Sequence, residues 1–150
     1  MTTSQGPDGG TVDALQRALA TEHAALWSYG LALAFLPTDR LATARTDLDT
    51  HQQLRGVLEQ LISVARGTPA PALPTYRPPR PVTDGPSAAA LLALAESDAL
   101  AAWRSVLEHT ADRALRQRGL AALTAGTARA ARWRAVAGDI PAIPQFPGQG

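Results

Sequence analysis

Gly67-Thr68-Pro69-Ala70-Pro71-Ala72-Leu73-Pro74-Thr75-Tyr76-Arg77-Pro78-Pro79-Arg80-Pro81-Val82-Thr83-Asp84-Gly85-Pro86 decides how the rest of the chain is read. Proline fixes φ and lacks an N–H, so prolines at this density forbid helix and favour extended polyproline II backbone. At ~3.1 Å per residue the stretch covers on the order of 55–60 Å. The segments on either side are of different material. They are rich in Ala, Leu, Arg, Glu and Gln and poor in β-branched residues, which favours helix. A helix of 26 residues is only about 39 Å long. The proline segment can therefore run the length of a helical bundle and return the chain to its starting end.

Punctuation divides the flanks into four helices. The first is expected over 11–36, with Thr11 as N-cap, Asp13 in the first turn and Pro37 as the stop. The second is expected over 39–66 with Gly67 as the C′ glycine, and the third over 87–109 after Pro86. The fourth is expected over 112–137, ended by Gly138 and Pro141. Helices 1–2 and 3–4 are joined by very short connections, so each pair is an antiparallel hairpin. Residues 1–10, polar and Gly-rich, are expected as a disordered tail, 11–138 as the bundle with its crossover at 67–86, and 139–150 as an extended, Pro-rich tail carrying Ile140, Ile143 and Phe146.

Alternating steps of four and three trace the apolar seams expected of helices crossing at a shallow angle. Helix 1 reads Leu15, Leu19, Glu22, Leu26, Tyr29, Leu33, Leu36, and helix 2 reads Ala44, Leu48, His51, Arg55, Leu58, Ile62, Ala65. Helix 3 reads Ala89, Leu92, Glu96, Ala99, Trp103, Val106. Helix 4 offers two stripes that periodicity does not separate. One runs through Leu115, Gly119, Ala122, Gly126, Arg129, Trp133 and Val136, the other through Leu120, Leu123, Thr127 and Ala131. Glu22, His51 and Glu96 thus interrupt three seams with polar groups, and nothing between Asp112 and Asp139 matches them with a carboxylate or an imidazole.

Bulk properties exclude several functions. The 150 residues carry 14 basic and 13 acidic side chains, a formal charge of +1, which gives no field to recruit nucleic acid or an anionic membrane. Without cysteine there are no disulfides, zinc–thiolate sites, iron–sulfur clusters or cysteine nucleophiles. No apolar run approaches the roughly 20 residues that span a bilayer. Met1 to Gly10 has neither the basic nor the apolar region of a secretion signal, so a cytoplasmic location is expected. No Gly-rich phosphate loop or nucleophile elbow is present, which leaves hydrolase and nucleotide chemistry without support.

Two helical hairpins joined by one long crossover is the topology of ferritin-like bundles, an all-α fold. The chain also resembles, over about Val12 to Trp133, an uncharacterised ferritin-like family, a domain of unknown function common in high-GC bacteria. The resemblance rests on Thr21-Glu22-His23-Ala24-Ala25-Leu26-Trp27-Ser28-Tyr29-Gly30 in helix 1, His51 with Arg55 in helix 2, and Tyr76 with Pro81-Val82-Thr83-Asp84 in the crossover. Glu96 with Ala102-Trp103-Arg104 in helix 3 and Ala130-Ala131-Arg132-Trp133 in helix 4 complete it. The family carries no established activity.

The di-iron pattern of such bundles needs a Glu from each of two helices and Glu-x-x-His from each of the other two. Glu22, Glu96 and His51 match three of these ligands; Leu48 stands where a Glu is required, and helix 4 supplies none. The expectation is a buried polar network of Glu22, His51, Arg55, Glu96, Arg129 and Tyr29, with Arg55, Arg129 or both in place of the metals and no cofactor. On this reading the protein is a non-catalytic bundle. Two alternatives stand beside it. One is an iron- or manganese-dependent oxidoreductase using Glu22, His51 and Glu96 as a reduced ligand set. The other is a small-molecule carrier with a dry cavity at Gly119, Ala122 and Gly126. His23 and His109 are expected on the surface, Trp103 and Trp133 in the core. Helix 1 is apolar almost all round from Leu31 to Leu36, so a homodimer through it, extended by Trp27 and Phe35, is expected; neither nucleic acid nor membrane is an expected partner.

Overall fold

A computed structural model describes residues 8–139. Among them are four helices and no strand: α1 (Gly9–Ala32), α2 (Thr38–Val64), α3 (Gly85–Glu108) and α4 (Arg113–Ala137). α1 packs against α2 and α3, and α3 packs against α4. No helix among the described residues is long and apolar enough to cross a membrane. The expected C-terminal tail, with Ile140, Ile143 and Phe146, lies outside the described residues, as does most of the N-terminal one.

The ends of the helices follow from their caps. α1 starts earlier than expected because Asp8, not Thr11, is the N-cap: its carboxylate accepts from the Thr11 N–H at 2.8 Å. A carboxylate three residues upstream outweighs the poor helix propensity of Gly9 and Gly10. The Thr11 hydroxyl instead ties the helix start to the His109 carbonyl at the end of α3. α1 also stops early, at Ala32, and 33–36 form a tight turn that folds Leu36 back into the core. The fully apolar end of the expected first helix is therefore largely a turn. α3 opens on a capping box in which Asp84 and Ser87 exchange hydrogen bonds. α4 opens on Asp112, which accepts from the Leu115 N–H at 2.7 Å, and closes on Gly138 at φ 84°.

α2 ends at Val64, two residues short of the expected 66, and its C′ position falls on Arg66 instead of Gly67. Arg66 takes the left-handed position at φ 62°, and Gly67 follows it, its N–H bonded to the Ile62 carbonyl at 2.9 Å. Gly67 is needed there for space, since a Cβ would lie 2.9 Å from Ile62 Cγ2.

The crossover lies on the outer side of α1. Gln16 holds it at both ends of one amide, donating to the Thr68 carbonyl at 2.8 Å and accepting from the Ala70 N–H at 3.0 Å. Farther along, Tyr76 packs on Trp27 with ring centroids 5.8 Å apart. The strap thus covers Trp27, while Phe35 of the expected homodimer face stays exposed.

Two apolar clusters fill the bundle. One joins Ala14, Leu15, Leu19, Leu58, Ile62, Trp103, Val106 and Leu115; the other joins Tyr29, Leu36, Ala44, Leu92 and Trp133. The polar residues lie between them along every helix. α4 faces inward with the stripe Leu115, Gly119, Ala122, Gly126, Arg129 and Trp133, and Leu120 of the rival stripe is exposed. Side chains crowd Gly119 and Gly126, two of the three residues where a dry cavity was expected. A Cβ on Gly119 would meet Leu107 Cδ2 at 2.8 Å, and one on Gly126 would meet Leu100 Cδ2 at 3.0 Å. The glycines let α3 and its leucines come close, so the expected dry pocket is filled by side chains.

Candidate functional site

His51 is the hub of the layer between the two clusters. Its Nδ1 lies 2.6 Å from Glu22 Oε2 and its Nε2 lies 2.8 Å from Glu96 Oε1, with all three side chains fully buried. A neutral imidazole has one donor and one acceptor nitrogen, and it cannot donate to two carboxylates at once. Burial pulls the imidazole down, but the hydrogen bonds to Glu22 and Glu96 outweigh it, and its pKa is pushed up to about 9. His51 therefore donates from both nitrogens as an imidazolium.

Each carboxylate is further held. The Trp103 indole N–H donates to Glu22 Oε1 at 3.0 Å. The Tyr29 hydroxyl donates to Glu96 Oε1 at 2.6 Å, and Arg129 Nε lies 3.1 Å from both oxygens of Glu96. Burial works to raise the Glu96 carboxyl, but the hydrogen bond and charge of His51, then Arg129, hold it below the usual carboxylate range. Burial, then the charge of Glu96, drives the Tyr29 hydroxyl far above its ordinary value, so it remains a donor.

The layer extends to a residue that the seam pattern misses. Asp47 is buried and accepts from the Trp133 indole N–H at 2.9 Å and from Arg132 Nη2 at 2.6 and 2.8 Å. Tyr29 lies 3.4 Å from it, too far to compete with Glu96 for the single phenolic proton. Three carboxylates (Glu22, Asp47, Glu96) thus face three cations (His51, Arg129, Arg132). Asp47 with Arg132 and Trp133 also joins α2 to α4 by hydrogen bonds.

Of the expected network, Glu22, His51, Glu96, Arg129 and Tyr29 meet, and Arg55 does not. Its side chain is about two-fifths exposed, with Nε 3.9 Å from Glu59. The cause is the phase of α2, whose buried stripe runs Ala44, Asp47, His51, Leu58, Ile62, with Leu54 packed at its edge. A step of three after Ala44 puts Asp47 inside, and Leu54 takes the inward place that the alternating pattern gives Arg55. His23 is also placed otherwise than expected. It is buried under the strap, with Nε2 3.1 Å from the Ala70 carbonyl, whereas His109 is exposed. Trp103 and Trp133 lie in the core, and their indole N–H groups feed the layer. The sequence signal that points to Asp47 is the pair of core tryptophans, since a buried indole N–H needs an acceptor.

This donor set does not fit a pair of metal ions. Both nitrogens of the only inward histidine are taken by carboxylates, a guanidinium sits across both oxygens of Glu96, and α4 contributes cations where a dimetal centre needs carboxylates. No group of three or more His, Asp or Glu side chains among the described residues is placed to hold a metal.

The model of the family described as "Domain of unknown function (DUF4439)" matches residues 14–150. A crystal structure of a conserved hypothetical protein from Mycobacterium tuberculosis is 32% identical, covers 86% of this chain and 98% of its own, and superposes with a TM-score of 0.82. A structure from Bacillus anthracis described as ferritin-like, diiron-carboxylate superposes with a TM-score of 0.70 at 14% identity, covering 85% of this chain and 94% of its own; that likeness concerns the fold alone. No curated protein matches the chain.

Proposed function

Because this chain belongs to the DUF4439 family and has the ferritin-like four-helix fold, we propose that it is a non-catalytic member of that fold, in which side-chain cations stand where metals would be. The single observation behind this reading is His51 bonded through both nitrogens to Glu22 and Glu96, with Arg129 closing over Glu96. Metal entry would require removing the imidazole proton, breaking two short charge-assisted hydrogen bonds and expelling a guanidinium. The role that remains for the layer is to fix the relative position of the four helices.

Elemental analysis of the protein purified without chelator, with melting curves in added Fe(II), Mn(II) and Zn(II), tests the proposal. Metal far below one equivalent and an unshifted melting temperature are expected. Near-stoichiometric iron or manganese would instead support an oxidoreductase with the reduced ligand set Glu22, His51 and Glu96.

A further inference from the structure

On the face away from the polar layer, α1, α3 and the strap enclose an open groove of about 300 Å³. That is the lower end of the volumes that hold small ligands. At about 30 Å³ per water, it has room for a molecule of about ten heavy atoms. The stacked rings of Trp27 and Tyr76 form one part of the wall, and Leu73 and Leu94, both exposed, form another. The hydroxyls of Thr21 and Ser28 in the floor are turned back onto the α1 carbonyls of Ala18 and Ala24, which leaves those two hydroxyls with no proton to donate to a ligand. Tyr76 Oη accepts the Leu73 N–H at 3.0 Å, a bond that fixes the ring and keeps its own O–H proton for another acceptor.

Two charges of opposite sign line this groove, Asp98 from α3 and Arg77 from the strap. Neither forms an ion pair or a side-chain hydrogen bond with any described residue, whereas the acids of the central layer are all paired. The walls partly shield Asp98 from water, and that burial raises its carboxyl above the ordinary value. A purely cationic ligand would be repelled by Arg77 and a purely anionic one by Asp98.

We propose that the groove binds a free amino acid with a large apolar side chain, its ammonium on Asp98, its carboxylate on Arg77 and its side chain against Trp27, Tyr76 and the leucines. The inference is independent of the central layer, and no residue of that layer lines the groove.

Calorimetric titration of the full chain with L-phenylalanine, phenethylamine and 3-phenylpropionate tests it. Phenylalanine should saturate with a Kd of about 1 mM or below, and each analogue, lacking one charge, should bind about tenfold more weakly or worse. Asp98→Asn and Arg77→Gln, both exposed positions, should melt like the parent and each weaken phenylalanine about tenfold. Absence of saturation by phenylalanine, an analogue that binds as well as the amino acid, or binding that is unchanged in both variants would overturn the proposal.

Discussion

His51 is the one cation that reaches Glu22, because Arg129 reaches Glu96 and not Glu22, so its removal leaves the Glu22 charge without a partner. Breaking a buried ion pair from one side leaves an uncompensated charge and costs about 3–5 kcal/mol. His51→Leu should lower the free energy of unfolding by that amount in urea, more than loss of a neutral core contact of the same size would explain. Titration gives the same residue a second signature. Its pKa is raised, from an ordinary 6.5 to about 9, so its contribution is complete below the lower value and disappears as pH rises through the upper one. The chain has neither lysine nor cysteine, so almost nothing else titrates across that window. The free energy of unfolding from urea titrations should therefore fall between about pH 7 and pH 9.5, by on the order of 3 kcal/mol, and the fall should be absent in His51→Gln. Glu96 acts with the opposite sign: its pKa is lowered, so its stabilisation holds above the usual carboxylate range and is lost as acid protonates it. Glu22, His51 and Glu96 were legible in sequence because a charged residue on an apolar seam is conspicuous. Asp47 was not, because Leu48 beside it is the better hydrophobe and a step of three looks as regular as a step of four.

The elements carry their own test at the end of α2, where Arg66 occupies the left-handed conformation at φ 62° that glycine adopts without steric cost. Arg66→Gly should stabilise the protein by about 0.5–1 kcal/mol, offset in part by the greater freedom of glycine in the unfolded chain. Gly67→Ala should do the reverse. Its Cβ would press on Ile62, which is fully buried and has little room to move, at a cost of about 1–3 kcal/mol. Thermal melting of the two variants side by side checks both signs. α1 stops at Ala32, short of Pro37, and Pro86 lies inside α3, so among the expected end markers Gly138 was the readable one, acting through its own backbone. The start of α1 and the end of α2 were not readable. At the first, the Asp8 side chain decides; at the second, the crowding of Ile62 does, and that is a tertiary contact. The strap was legible as extended chain, but not its path over α1, because Gln16, His23 and Trp27 fix that path by pairing across at least 47 residues.

At the scale of the molecule, the polar layer separates two apolar clusters whose helices would otherwise slide past one another with little penalty, because Ala and Leu recur on all four helices. Sequence gave the topology through the length of the crossover, but not the closeness of α3 and α4, which depends on Leu100 and Leu107 entering the space over Gly126 and Gly119. Whether the layer stabilises the bundle or only fixes its register is decided by comparing single with combined replacements. Glu22→Leu, His51→Leu, Glu96→Leu and Arg129→Met, made singly, should each cost about 3 kcal/mol or more, because each strands a partner. Added together they would exceed about 12 kcal/mol, near the whole stability of a domain of this size. The combined variant strands far less: Tyr29 can turn to Asp47, 3.4 Å away, and only the Trp103 N–H is left without its acceptor. We therefore expect it to remain folded, with a loss well short of the sum. Its weakness should instead appear as a lower urea m-value and reduced near-ultraviolet circular dichroism from Trp103 and Trp133, the signs of helices that no longer hold one register. A combined variant that unfolds outright would make the layer the main source of stability, and one with native dichroism would leave it no part in specifying the fold.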